Sequence, residues 1–158
     1  MEIMLQRRNK AIVLKGFDTL FNRRDFAAAK SFWSPDYIQH SALVPAGRDG
    51  LFDLVRRLPL THKYEPGLVV AENDFVVVHG RYSGLSDRED IVAVDIIRIT
   101  GDVMVEHWDV LQYEVARQQS RGGNPTFGTN FPDRSRAEAD RPAVTHPRSG
   151  SKYHWLAG

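Results

Sequence analysis

The residues of this chain that could do chemistry are concentrated between Ile91 and Tyr113, where Asp95, Arg98, Glu106, His107, Trp108 and Asp109 interrupt two runs of Val and Ile. Desolvating a carboxylate or an imidazole costs several kcal/mol unless it is paired, so such groups belong on a wet face or on the wall of a polar pocket. A carboxylate and an imidazole in a half-dry pocket form a workable acid/base pair. Burial raises the proton affinity of the first and lowers that of the second, which brings both towards neutrality. The catalytic candidates on this ground are Asp109, His107 and Asp95, with His40 beside them at the end of a short extended segment. His79 stands inside another apolar run, and a lone strand histidine is more often a satisfied structural group than a catalytic one. Asp109, flanked by Trp108 and Val110, is the carboxylate hardest to explain as structural.

The elements that must position these groups are legible from hydrophobic period. Thr100-Gly101-Asp102 between the two Val/Ile runs is the composition of a β-hairpin with a tight turn. Regular pairing about Gly101-Asp102 sets Arg98 opposite Val105, Ile96 opposite His107 and Asp95 opposite Trp108, which puts Asp95 and Asp109 on different faces. A bulge near His107-Trp108-Asp109 would change the parity and unite them, and bulges are common beside active sites. Upstream, Val13, Phe17, Leu20 and Phe21, flanked by Leu5 and Ile12, form the stripe of an amphipathic helix. Asp25 caps a second short helix whose inward residues are Phe26, Ala29, Phe32 and Trp33, ended by Ser34-Pro35-Asp36. Tyr37-Ile38-Gln39-His40 is extended, and a third helix follows with Leu51, Leu54, Val55 and Leu58 on one side and Pro59 at its end. From Lys63 the period becomes that of strands, over Gly67–Ala71 and Asp74–Tyr82 and then the hairpin. Three helices followed by consecutive antiparallel strands make an α+β fold, with the helices covering one face of a curved sheet and a hollow left for a small ligand.

Composition removes several function classes. The chain has no cysteine, which excludes disulfides, thiolate metal sites and a cysteine nucleophile. No GxSxG, P-loop or GxGxxG occurs, so nucleophilic-serine, nucleoside-triphosphate and dinucleotide readings lack support. His40, His79 and His107 with Asp95 or Asp109 could be assembled into a zinc or iron site, but no close ligand pair such as HExxH is present, and the reading is no metal and no cofactor. No apolar run reaches the roughly 20 residues of a membrane span, and MEIMLQRRNK lacks the apolar core of a signal peptide, so the expected location is cytoplasmic with no membrane partner. Residues 1–115 carry a formal charge of −3 and residues 116–158 one of +4. The arginines of that tail are scattered among Pro and Gly without a basic run, which argues against nucleic acid. The tail, residues 116–158, is too poor in apolar residues to bury a core of its own and is expected to be extended or partly disordered beside a domain spanning residues 1–115.

Tyr37-Ile38-Gln39-His40, Gly47-Arg48-Asp49, Val94-Asp95-Ile96-Ile97-Arg98 and Glu106-His107-Trp108-Asp109-Val110-Leu111-Gln112, in this order of elements, resemble the SnoaL-like polyketide cyclases of the NTF2-like superfamily, over about residues 7–115. The resemblance implies a cone-shaped (cystatin-like) α+β barrel, usually a homodimer, with a small-molecule substrate in the cone. It also implies an aspartate on the last strand that serves as general acid/base in an intramolecular aldol condensation without cofactor or metal. That aspartate aligns with Asp109, and related limonene epoxide hydrolases carry a catalytic aspartate at the matching place. Tyr37, Gln39, His79 and Trp108 are the candidate ligand contacts. Because the superfamily hosts isomerases, lyases, hydrolases and pure binding domains, three readings stand side by side. They are acid/base chemistry on a small apolar carbonyl compound, water addition to an epoxide, and ligand binding without catalysis. Ser41-Ala42 after His40 departs from the family pattern and is expected to reshape the pocket mouth.

Overall fold

A computed structural model of the protein describes residues 2–85 and 90–132. Helix α1 spans Glu2–Phe17 and passes into a π-helical turn, Asp18–Asn22, and a single-turn α2 covers Phe26–Ala29. Strand β1, Trp33–Gln39, and helix α3, Gly47–Arg57, come next. The remaining strands are β2, Lys63–Glu72, β3, Phe75–Ser83, β4, Ile91–Thr100, and β5, Val103–Tyr113. They form one five-stranded sheet in the order β1-β5-β4-β3-β2. All pairings are antiparallel except that of β1 with β5. The sheet is therefore mixed and open, with β1 and β2 at its edges, rather than a closed barrel. The expected turn from Gly84 to Asp90 falls in part outside the described residues, and so does the tail beyond Pro132.

Asp25 caps α2 as the sequence suggests, accepting from the Ala28 N–H at 3.0 Å. That helix is shorter than its apolar pattern implies. Trp33 already belongs to β1, pairing with Met104, and Phe32 is held by a Met104 N–H donating to its carbonyl at 2.8 Å. Sheet pairing offers these residues backbone partners that another helical turn through Ser34-Pro35 could not, because proline blocks helix continuation.

The helices lie on one face of the sheet, α1 across β2 and β3 and α3 against β1. Between them sits a core of Val13, Phe17, Leu20, Trp33, Phe52, Val55, Val76, Val78, Ile97 and Met104. Its aromatic centre is ordered: Phe17 stacks on Trp33 with centroids 6.1 Å apart, and Trp33 meets Phe52 edge-on at 5.6 Å. Offset and edge-to-face contacts of this kind stabilise beyond area burial alone. No helix among the described residues is long and apolar enough to cross a membrane.

The decisive feature for function is the pairing of β4 with β5. Ile99 faces Met104, but Arg98 faces Glu106, so Val105 is an extra residue on β5. This bulge lies nearer the turn than the alternation suggested, and it reverses the parity of everything beyond it. Ile97 then faces His107, and Asp95 faces Asp109. The regular pairing expected from the hairpin turn is thereby corrected. One inserted residue brings both aspartates and the histidine to the helix-covered face.

Candidate active site

On that face the sheet and helices line a pocket that is open at its mouth and about 80 Å³ in volume. Its greasy wall comes from Phe17, Phe21, Leu51, Leu54, Leu58 and Leu111, and its polar groups are Tyr37, Gln39, His62, Tyr82, Asp95, His107 and Asp109. Phe21 reaches the cavity from the π-helical turn, an irregularity often found where a helix serves a site.

The polar groups form a connected wall. The Ser41 backbone N–H donates to Gln39 Oε1 at 3.0 Å, which fixes the orientation of that amide. His107 Nδ1 donates to the same oxygen at 2.8 Å. Its Nε2 pairs with Asp95 Oδ1 at 2.9 Å, and the Tyr82 hydroxyl donates to Asp95 Oδ2 at 3.2 Å. Asp95 and His107 are both almost fully buried, so each is the other's compensation for lost water. Burial raises the Tyr82 hydroxyl well above the usual phenol range, and the neighbouring Asp95 carboxylate adds to this, so Tyr82 acts only as a donor. Tyr37, beside Gln39 on β1, is raised in the same way by burial.

Asp109 is set apart from this network. Only partly buried, it faces the cavity and is raised above the ordinary carboxylate range, chiefly by loss of solvent and further by Asp95 across the strand pair. A hydrogen bond from Ser41 and the charge of His107 pull the other way without cancelling the shift. Ser41 belongs to the loop after His40 whose sequence is unusual for the resemblance, so that departure does reach the site.

His62, in the turn before β2, is the residue that sequence reasoning missed. It is 4% exposed, lines the cavity, and donates from Nδ1 to the Ser83 carbonyl at 3.1 Å. Burial lowers its pKa from 6.5 to about 4; Arg24 adds to this, while the Ser83 carbonyl opposes it. The ring is thus a neutral imidazole near pH 7. An unfolded His62 takes up a proton below about pH 6.5 while the folded one does so only near 4. Stability that is complete at pH 7 is therefore lost as the pH falls through that window, by on the order of 3 kcal/mol. Urea unfolding at pH 7 and pH 4 is expected to show this loss in the native protein and a smaller one in His62→Phe. No periodic signal marks His62. Tyr82 was within reach, because the inward pair Val76 and Val78 places it on the same face by alternation.

The other sequence candidates lie elsewhere. His40 and Trp108 are on the outer face, stacked on each other at 4.7 Å. His40 Nε2 sits 2.8 Å from Glu106 Oε1, and Arg98 forks onto Glu106 Oε2 at 2.8 and 2.6 Å. This cross-strand cluster holds Glu106 below the usual carboxylate range. His79 also points outward, against Phe127 at 5.6 Å. The sheet therefore separates His40, His79 and Trp108 from Asp109, and the structure does not bring them into the cavity. It does bring together Asp95, His107, Asp109, Tyr37 and Gln39. Among the described residues, no group of three or more His, Asp or Glu side chains is arranged to hold a metal ion.

Comparison with known proteins agrees with this architecture. The chain is similar in structure to TsrD from Streptomyces laurentii, with 20% identity, a TM-score of 0.55, and coverage of 65% of this chain and 89% of that one. A candidate ketosteroid isomerase from Kribbella flavida gives 14%, 0.58, and 89% and 93%. An LEH-like epoxide hydrolase of M. tuberculosis gives 12%, 0.57, and 68% and 84%. Likeness at such identity speaks for the fold alone. No curated protein matches by sequence. The SnoaL-like domain family matches residues 14–107, more than half of the chain and all of the cavity lining except Asp109 and Leu111. This protein therefore belongs to the SnoaL-like domain family.

Proposed function

We propose that the protein is a cofactor-independent acid/base enzyme acting on a small, mostly apolar carbonyl compound. The observation that carries this reading is Asp109: a carboxylate lining a mostly apolar cavity, with its proton affinity raised by lost solvation. A base tuned upward in this way is matched to removing a weakly acidic C–H near neutral pH. The carboxylate takes the proton α to the carbonyl, leaving a carboxylic acid and an enolate. The acid then returns the proton to carbon, giving isomerisation, or to the alkoxide formed when the enolate attacks a second carbonyl, giving an aldol product. Both ring nitrogens of His107 are already engaged, so His107 and Asp95 position the wall, and the enolate oxygen falls to the Tyr37 hydroxyl and the Gln39 amide on β1. The test is deuterium exchange at the α-carbon of 2-tetralone in D₂O, followed by NMR. Exchange well above the buffer rate is expected. A cavity that binds 2-tetralone without accelerating exchange would remove this reading and leave epoxide hydration and binding without catalysis.

The second part of the proposal is a homodimer joined through the outer sheet face. Ile38, Val70, Phe75 and Val110 are exposed there, Val110 by 66%, around the Trp108–His40 stack. A set of exposed apolar side chains on one sheet face marks an interaction surface. Sedimentation at micromolar concentration is expected to give a dimer for the native protein and a monomer for Val110→Arg; a monomer in both would remove this part.

A further inference from the structure

Among the described residues, nothing uses one of the two ring nitrogens of His62. Nδ1 is committed to the Ser83 carbonyl, so Nε2 of the neutral ring is a lone-pair acceptor. Nε2 is fully buried, has no hydrogen-bond partner, and belongs to a residue on the cavity wall. The ring cannot turn away to find one. It stacks on Tyr82 with centroids 5.9 Å apart and 8° between planes, and Phe21 meets it edge-on at 6.1 Å. Tyr82 cannot supply the missing donor, because its hydroxyl is spent on Asp95. A buried acceptor left bare is costly, and in a built site it marks the place where a ligand group completes the bond.

We infer that His62 is a specificity residue, and that the substrate carries a hydroxyl group which donates to His62 Nε2. The substrate class is thereby narrowed to hydroxylated apolar carbonyl compounds, phenols and enols included. This rests on the cavity being the substrate site, but not on proton transfer by Asp109. Along the wall, Tyr82 and Asp95 stand between His62 and the Asp109 position. The hydroxyl that is read and the carbonyl that reacts are then different parts of one molecule. A site that hydrogen-bonds a hydroxyl rejects the analogue lacking it far better than an apolar pocket tells one methyl from another.

The test uses 2-naphthol and 2-methoxynaphthalene, which differ in the donor, with affinities measured by calorimetry on the full chain. Native protein is expected to bind 2-naphthol at least about tenfold more tightly, given the penalty of an unpaired buried acceptor. His62→Phe, which keeps a ring against Tyr82, is expected to lose that preference. Independently of any variant, ¹⁵N NMR of histidine-labelled native protein should show the His62 Nε2 resonance move with 2-naphthol and stay with 2-methoxynaphthalene. Equal affinities, or a preference that survives in His62→Phe, would overturn the inference while leaving the cavity as a binding site. Equal affinities would mean that water satisfies the nitrogen. Failure of both compounds to bind would overturn the cavity reading and this one together.

Discussion

Asp109→Asn is expected to slow α-deuteration of 2-tetralone by on the order of 10²-fold or more, with the melting temperature unchanged or slightly raised. Positioned general bases contribute 10²–10⁴-fold, and about 2.7 kcal/mol of barrier corresponds to the lower limit. The amide is nearly the same shape as the carboxylate and cannot take the proton. The direction of the stability change follows from the same cause as the activity. Loss of solvent around Asp109 raises its proton affinity, so the ionised form is disfavoured by the fold. At pH 7 the native carboxylate therefore costs stability that a neutral amide does not. An active-site residue that weakens the protein it serves is the expected sign of a site held for chemistry. Unchanged exchange in the variant, measured beside an unchanged melting curve, would take Asp109 out of the mechanism.

His107→Leu is expected to cost about 3–5 kcal/mol of stability in urea unfolding, the largest structural effect predicted for the cavity wall. The Asp95–His107 pair is buried on both sides, and removing one partner strands the other without water. The same variant leaves the Gln39 amide, held by the Ser41 N–H, without its ring donor. Asp95→Leu combined with His107→Leu is expected to cost clearly less than the two single changes added together, because no stranded charge remains. Strict additivity would show that the two groups do not compensate one another. The wall thus frames the proposed catalytic position: it holds Gln39 on one side of the cavity and places Asp95 opposite Asp109, where its charge adds to the raised proton affinity.

The helices and strands follow from apolar spacing, and the chemistry-bearing hairpin is visible as ionisable groups set among Val and Ile. What the spacing does not contain is the inserted Val105. A bulge is selected by the packing of the whole sheet. Met104 must point into the core while Arg98 and Glu106 meet outside, and only an extra residue between Met104 and Glu106 satisfies both. His40 lies outside the cavity for a related reason. It is adjacent in sequence to Gln39, and in a strand adjacency means opposite faces, so inward Gln39 sends His40 out to Glu106 and Trp108. His62 lay beyond reach because its setting comes from residues distant in sequence: the carbonyl of Ser83 at the end of β3 and the rings of Phe21 and Tyr82. Nothing local marks a histidine that commits one nitrogen to the backbone and leaves the other unpaired.

The fold also explains how a carboxylate can be half-dry yet reachable. Asp109 stands on β5 opposite Asp95 of β4, two residues past the last β1 pairing at His107, and its side chain lines the cavity. Rigid strands hold a reacting group more precisely than loops do, and one flanking loop, through Ser41, supplies the hydrogen bond that moderates its proton affinity.

The most direct measurement is the ¹³C titration of the Asp109 side-chain carboxyl in the native protein, assigned by comparison with Asp109→Asn. A midpoint above the ordinary aspartate value of about 4 is predicted. A midpoint at or below that value would mean a well-solvated or tightly paired carboxylate, and it would contradict the account of Asp109 as the base in this cavity.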